Sequence, residues 1–101
     1  MRTLIYTRSR RKGTAAEEAH KLQEQYCRKW LMKKNRGVCV GVVNDDNDSA
    51  GKALLLSTAK DTKEDYQRLL ITSPDLLLDI CYARTLKIIL QRYGRVLEFA
   101  K

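Results

Sequence analysis

The run VCVGVV at residues 38–43 constrains the fold of this chain more than any other segment. Its residues are all apolar or glycine, and it lies between Gly37 and a polar loop that starts at Asn44. A strand that is buried on both faces has this continuous apolar pattern, whereas a strand with one solvated face alternates. The segment therefore predicts a parallel sheet that is covered by helices on both faces.

The other segments alternate between strand and helix patterns. The strand patterns are residues 3–7 and 76–82, and the helix patterns are residues 14–34, 61–70 and 84–93. Residues 95–99 predict either a short fourth strand or a continuation of the last helix. This order predicts a single α/β domain over residues 1–101, with a mostly parallel sheet of three or four strands. A mobile loop is expected over residues 44–61.

The first helix carries an amphipathic pattern that predicts which of its faces is buried. Apolar residues recur at three- and four-residue spacing, namely Ala19, Leu22, Tyr26, Cys27 and Trp30. Gly37 is placed for a left-handed conformation at the C-terminal cap. His20 is expected at the surface, since the sequence suggests no catalytic partner for it.

Positive charge is concentrated in the first third of the chain. The net charge is +8, and residues 1–36 contain eleven Lys and Arg residues but only three Glu, whereas residues 37–101 contain nine basic and nine acidic residues. This asymmetry indicates a polyanionic partner, most often nucleic acid. The alternative is a solvated basic helix that keeps the protein soluble.

The sequence predicts a cytoplasmic protein without a membrane segment. No run of about 18 apolar residues is present, and the N-terminus lacks the order of a secretory signal. Cys39 and Cys81 lie inside apolar runs and, with Cys27, are expected to be free thiols in a reducing compartment. The acidic loop after Asn44 lacks essential EF-hand positions, so neither a metal nor a cofactor is predicted.

Several short motifs occur in order along residues 2–90. They are Tyr6-Thr7-Arg8 in the first strand, Leu22 and Gln25 in the first helix, Asp45-Asp46 followed by Ser49–Lys52, then Gln67–Leu70, and finally Asp75 and Arg84. In this order and spacing they resemble the catalytic domain of the resolvase/invertase family of serine recombinases. The resemblance implies a resolvase-like fold and a role in site-specific DNA recombination, as on mobile genetic elements.

The resemblance also implies a phosphoryl-transfer site. Family members attack a DNA phosphate with a serine hydroxyl, while arginines stabilise the negative charge that develops on the phosphate. The resemblance assigns two such arginines to Arg8 and Arg84. The nucleophile position itself carries Arg10, with Ser9 one residue earlier.

Further positions depart from the family pattern. An aspartate of the family is Ala83 here, and two arginines are replaced by Lys63 and Lys87. Lysine keeps the charge but lacks the two-pronged guanidinium that grips a phosphate. These changes favour a domain that no longer cuts DNA.

Three functions are therefore considered. In the first, a degenerate recombinase-like domain binds DNA or joins an intact recombinase as an accessory factor, as a homodimer or heteromer. Its expected DNA-binding residues are Arg8, Arg10, Arg11, Lys12, Lys63 and Lys87. The second is an active minimal recombinase that uses Ser9 with Arg8 and Arg84. The third is an unrelated α/β protein-interaction module.

Overall fold

The computed structural model describes residues 1–33, 35–46, 51–80 and 83–101. In chain order its elements are β1 (Arg2–Arg8), α1 (Thr14–Lys33), β2 (Val38–Asp45), α2 (Gly51–Lys60), β3 (Arg68–Ile71), a 3₁₀ helix (Pro74–Ile80), α3 (Ala83–Arg92) and β4 (Val96–Phe99). These strands form one sheet in the order β2-β1-β3-β4, and every neighbouring pair is parallel. The predicted α/β class is confirmed, and residues 96–99 form a strand rather than a longer helix.

Strand alternation divides the core between the two faces of the sheet. On one face, Leu4 and Tyr6 of β1 belong to a cluster that includes Leu55 of α2 and Leu86 of α3. On the other face, Ile5 packs in a cluster built with α1. Successive side chains of a strand point to opposite faces, and helices cover both faces of β1. The strand is therefore buried on both sides.

Left-handed residues end both α1 and α3. Arg36 N–H donates to the carbonyl of Leu31 at 2.9 Å, and Asn35 between them has a φ of 48°. The same arrangement closes α3, where Gly94 has a φ of 70° and Arg95 N–H bonds back to Leu90. Both ends are Schellman motifs. The prediction that Gly37 caps α1 is wrong by two residues, because Asn35 also tolerates this conformation.

Three of the predicted elements differ in the structure. Residues 51–60 form α2 where a loop was expected, while residues 47–50 of that loop lie outside the described residues. The helix predicted over 61–70 is wrong: Asp61 Oδ1 accepts from Lys63 N–H at 2.8 Å, an Asx turn that replaces the expected cap. The strand predicted over residues 76–82 is also wrong, because Pro74–Ile80 forms the 3₁₀ helix, while residues 81 and 82 lie outside the described residues. The third strand is β3, inside the segment that was predicted to be a helix.

The cysteines and the helices bear on two further expectations. Cys27 is a buried free thiol, and Cys39 is a free thiol that is only half-buried, less than predicted. Cys81 lies outside the described residues.

Among the helices that the structure describes, none combines the length and apolar character needed to cross a membrane.

Candidate functional site

The carboxyl edge of the sheet is the edge at which the parallel strands end. Arg8 at the end of β1 is in register with Asp45 at the end of β2, and Ser9 N–H continues the ladder to the Asp45 carbonyl at 3.0 Å. The basic segment Arg8–Lys12 starts here. Ligands of open α/β sheets gather outside the carboxyl ends of the strands, so this edge is the candidate site.

A buried ion pair occupies the centre of the carboxyl edge. Arg8 Nη1 donates to Asp45 Oδ2 at 2.9 Å and to the Tyr6 hydroxyl at 3.2 Å, and the Tyr6 hydroxyl donates to the same carboxylate oxygen. The Arg8 side chain is only 2% exposed. Burial and the Asp45 carboxylate together raise the pKa of Tyr6 far above its ordinary value of about 10. The phenol therefore remains a donor at neutral pH.

A glutamine of α1 fixes the backbone of Arg8. Arg8 N–H donates to Gln23 Oε1 at 2.9 Å, and Gln23 Nε2 donates to the Arg8 carbonyl at 2.7 Å. The motif comparison pointed instead to Gln25, which is exposed on α1. Gln23 is therefore the helical glutamine that reaches the end of β1.

His20 belongs to a second hydrogen-bonded group at this edge. Its Nδ1 lies 2.6 Å from Thr7 Oγ1 and its Nε2 lies 2.8 Å from Asp46 Oδ1, while Thr7 Oγ1 also bonds Asn44 Oδ1. His20 is buried, so the prediction of a surface role is wrong. Its partners are distant in sequence, since Thr7 lies in β1 and Asp46 directly follows β2, which is why the sequence around His20 gave no signal of them.

The predicted catalytic residues occupy different environments. Ser9 is buried, and its Oγ accepts from Arg11 N–H at 3.1 Å. Arg10 is exposed in the loop after β1, and Arg84 is exposed in the first turn of α3. Because α3 precedes a parallel strand, its first turn lies toward the carboxyl edge, where Arg8 and Ser9 also lie. The catalytic assignment of Ser9, Arg8 and Arg84 stays a prediction.

The remaining basic residues lie at two edges of the sheet. Arg11 and Lys12 are exposed and line a cleft of about 830 Å³ at the carboxyl edge, beside the start of α1. Lys87 is exposed one turn after the start of α3. Lys63 lies in the segment before β3, at the opposite edge, where the strands begin; we call this the amino edge. The structure therefore separates Lys63 from the other predicted DNA-binding residues.

The side chains that the structure describes offer no candidate metal centre. No group of three or more His, Cys, Asp or Glu residues converges among them in a way that could hold a metal ion. The carboxyl edge carries guanidinium, ammonium and hydroxyl groups beside the Asp45 and Asp46 carboxylates and the His20 imidazole. Guanidinium, ammonium and hydroxyl groups bind phosphates by charge and by hydrogen bonding.

The fold is similar to that of a solved recombinase domain. The C-terminal catalytic domain of ISC1926 TnpA, an IS607-like serine recombinase, matches with a TM-score of 0.75 and 21% sequence identity. The match covers 100% of this chain and 70% of that one. No family model matches the chain, and no curated protein matches it. At this identity the comparison establishes a shared fold.

Proposed function

We propose that this chain is a serine-recombinase-like domain that binds DNA at the carboxyl edge of the sheet without cutting it. The fold shared with a serine recombinase catalytic domain supports the recombinase-like part of the proposal. The basic residues at the carboxyl edge support the DNA-binding part, because lysines and arginines that neutralise phosphates supply most non-specific DNA affinity. The proposal places the domain in the cytoplasm, in association with a second copy or with an intact recombinase.

The burial and ion pairing of Arg8 are the main reason why we expect no cleavage. A catalytic arginine must offer N–H groups to the phosphate, whereas the Arg8 side chain is 2% exposed and ion-paired with Asp45. The neighbouring Ser9 hydroxyl is buried and accepts the Arg11 N–H. Arg10, at the nucleophile position of the resemblance, cannot form a phosphate ester. These features all argue against bond cleavage.

DNA contact is assigned to the exposed cations of the carboxyl edge. Arg10, Arg11 and Lys12 follow β1, and Arg84 and Lys87 lie on one side of α3. Residues three apart on a helix are neighbours, so the α3 pair presents its two charges together. A duplex that contacts both segments would be held by its phosphates, with little dependence on base sequence.

The binding test is a titration of a fluorescent duplex at two salt concentrations. Affinity should fall steeply with salt, with a log–log slope of roughly 0.9 for each phosphate neutralised. Replacing Arg10, Arg11 and Lys12 by glutamine should weaken binding and reduce that slope. The matched control is Lys60→Gln, which removes one exposed charge at the amino edge. Lys63→Gln tests the predicted contact that lies at that same edge. Absent or salt-insensitive binding would contradict the proposal.

The cleavage test uses supercoiled DNA that is quenched with detergent. We expect no covalent protein–DNA adduct, because loss of one transition-state donor costs roughly 10²–10³-fold in rate and several positions are altered here. Ser9→Ala is the control. An adduct that disappears in Ser9→Ala would establish an active minimal recombinase instead.

A further inference from the structure

A second basic surface lies far from the carboxyl edge. It is a groove of about 770 Å³ along the C-terminal half of α1, and its lining includes Tyr26, Lys29, Trp30, Lys33 and Arg36. Among the lining residues that the structure describes, none is an aspartate or a glutamate. The groove therefore presents positive charge without internal neutralisation.

The direction of α1 separates this groove from the proposed DNA site. The helix starts at the carboxyl edge, after β1, and ends at the amino edge, before β2. The groove lies around the last turns of that helix, whereas Arg11 and Lys12 lie at its beginning. Substitutions in one surface can therefore be made without touching the other.

Aromatic rings and cations alternate in the groove. The Arg36 guanidinium lies 3.9 Å from the centroid of the Trp30 ring, and Lys101 Nζ lies 5.1 Å from that of Tyr26. Tyr26 is 41% exposed. Arg68 also lies over the Trp30 ring, 5.2 Å from its centroid, so Tyr26 is the ring of the groove that a planar group can reach from solvent, by displacing Lys101.

We propose that this groove binds single-stranded nucleic acid. Single-strand sites combine cations that follow the backbone with aromatic rings on which bases stack. Here Lys29 and Lys33 would neutralise phosphates, and a base would take the place of Lys101 over Tyr26. An acidic peptide would satisfy the cations but would leave the ring faces unused. For this reason the occupant is a nucleic acid strand.

The only tryptophan of the sequence provides a direct signal of occupancy, because Trp30 lies in the groove itself. The full-length chain would be titrated with an oligothymidine of about twelve nucleotides while its fluorescence is recorded. We expect saturable quenching that weakens with salt. Polyglutamate of equal charge should compete at least about tenfold more weakly, and equal competition would overturn the base-stacking proposal.

Variants localise the effect. Lys29→Gln with Lys33→Gln should weaken binding about tenfold or more and lower the salt slope by about 1.4, at roughly 0.7 per single-strand phosphate. Arg28→Gln removes a charge on the same helix from a side chain paired with Glu24, and should have little effect. Tyr26→Leu should weaken binding, whereas Tyr26→Phe, which keeps the ring, should preserve it.

The outcome is independent of the carboxyl-edge proposal. The triple glutamine variant at Arg10, Arg11 and Lys12 should leave Trp30 quenching unchanged, even where it abolishes duplex binding. Absence of quenching, or quenching that the Lys29 and Lys33 variant retains in full, would overturn the proposal. Thermal unfolding of each variant confirms that it is folded, and these exposed positions leave the core intact.

Discussion

Arg8 and Arg95 are both buried, but different partners neutralise their charges. Arg8, at the carboxyl edge, is paired with the carboxylate of Asp45 and with the Tyr6 hydroxyl. Arg95, directly before β4, contacts no carboxylate in the hydrogen bonds described for it. It donates to backbone carbonyls, and its guanidinium lies 3.8 Å from the centroid of the Tyr66 ring. The hydrogen bonds of the Arg8 guanidinium described here thus go to side chains, whereas those of the Arg95 guanidinium go to main-chain carbonyls.

The Arg95 contacts hold together the segment between α2 and β3. Its Nε and Nη atoms donate to the carbonyls of Tyr66 at 3.1 Å, Ala59 at 3.0 Å, Asp61 at 2.5 Å and Glu64 at 2.9 Å. A single side chain thus satisfies the Ala59 carbonyl in the last turn of α2 and three carbonyls of the irregular segment that follows it. Without it, these acceptors would have to find water.

This difference has a consequence for mutagenesis. Both partners of the Arg8–Asp45 pair can be replaced together, and removing a buried pair as a unit is often nearly neutral. The backbone partners of Arg95 cannot be replaced at all. Loss of Arg95 should therefore have no second-site compensation, whereas loss of Arg8 should have one.

The largest expected effect is that of Arg95→Met. The substitution keeps the aliphatic length but removes every donor to the four carbonyls, and a buried acceptor that loses its partner costs about 1–3 kcal/mol. We expect a loss of about 4 kcal/mol in the free energy of unfolding, measured by urea denaturation. Arg95→Lys should recover only part of it, because one ammonium cannot reach all four carbonyls. Full recovery by lysine would show that charge alone matters here.

The second effect is the coupling between Arg8 and Asp45. Asp45→Asn removes the carboxylate charge that pairs with the buried guanidinium and should lower the free energy of unfolding by about 3 kcal/mol. Arg8→Met alone leaves Asp45 with the Tyr6 hydroxyl as its remaining described partner in this group, and should cost a similar amount. The double variant should be more stable than the sum of the two losses implies, with a coupling of about 2 kcal/mol. Strict additivity would remove the distinction between the two arginines.

The third effect is a pH dependence that originates at the carboxyl edge. The raised pKa of Tyr6 keeps its phenol protonated in the folded state, while the unfolded phenol ionises near pH 10. The unfolded state then binds fewer protons, so stability falls as pH rises above about 10. Burial raises the pKa of Tyr66 in the same direction.

Tyr6→Phe tests this assignment. The variant should lose about 1 kcal/mol at pH 7 through the missing hydroxyl. Between pH 9 and pH 11 its stability should fall less than that of the parent chain, since one ionisable group is gone. Urea midpoints across this range provide the measurement, and parallel curves for the two proteins would place the alkaline loss elsewhere.

The sequence predicted the sheet better than the helix faces. The segments that became β1 and β2 were predictable from their β-branched, aromatic and apolar residues. The expectation that Val38–Val43 is buried on both faces was wrong, because β2 is an edge strand and this run is only half-buried. The predicted stripe of α1 was wrong at Leu22 and Tyr26, which are 67% and 41% exposed. The buried face instead carries His20, whose polarity hides the true period.

The basic segment of the site was also predictable, but its internal contacts were not. The clustering of positive charge directly after the β1 pattern is enough to predict Arg8–Lys12 at the carboxyl edge. Apart from Tyr6, the partners of Arg8 are distant in sequence: Gln23 lies on α1 and Asp45 on β2. Strand register brings Asp45 to Arg8, whereas the packing of α1 against β1 brings Gln23 there. Short strands such as β3 escape pattern analysis as well, because four residues are too few to show a period.

The smallest expected effect concerns the glycines beside the two regions. Gly13 precedes α1 near the carboxyl edge with a φ of 62°, and Gly94 precedes Arg95 with a φ of 70°. A Cβ at either position would meet no heavy atom within 4 Å. Replacement by alanine should therefore lower the free energy of unfolding by about 1 kcal/mol at each site, because only the backbone conformation is penalised. If Gly94→Ala costs clearly more than Gly13→Ala in urea unfolding, the turn must also position the Arg95 guanidinium. Equal losses would show that the carbonyl contacts of Arg95 tolerate the strain in the residue before it.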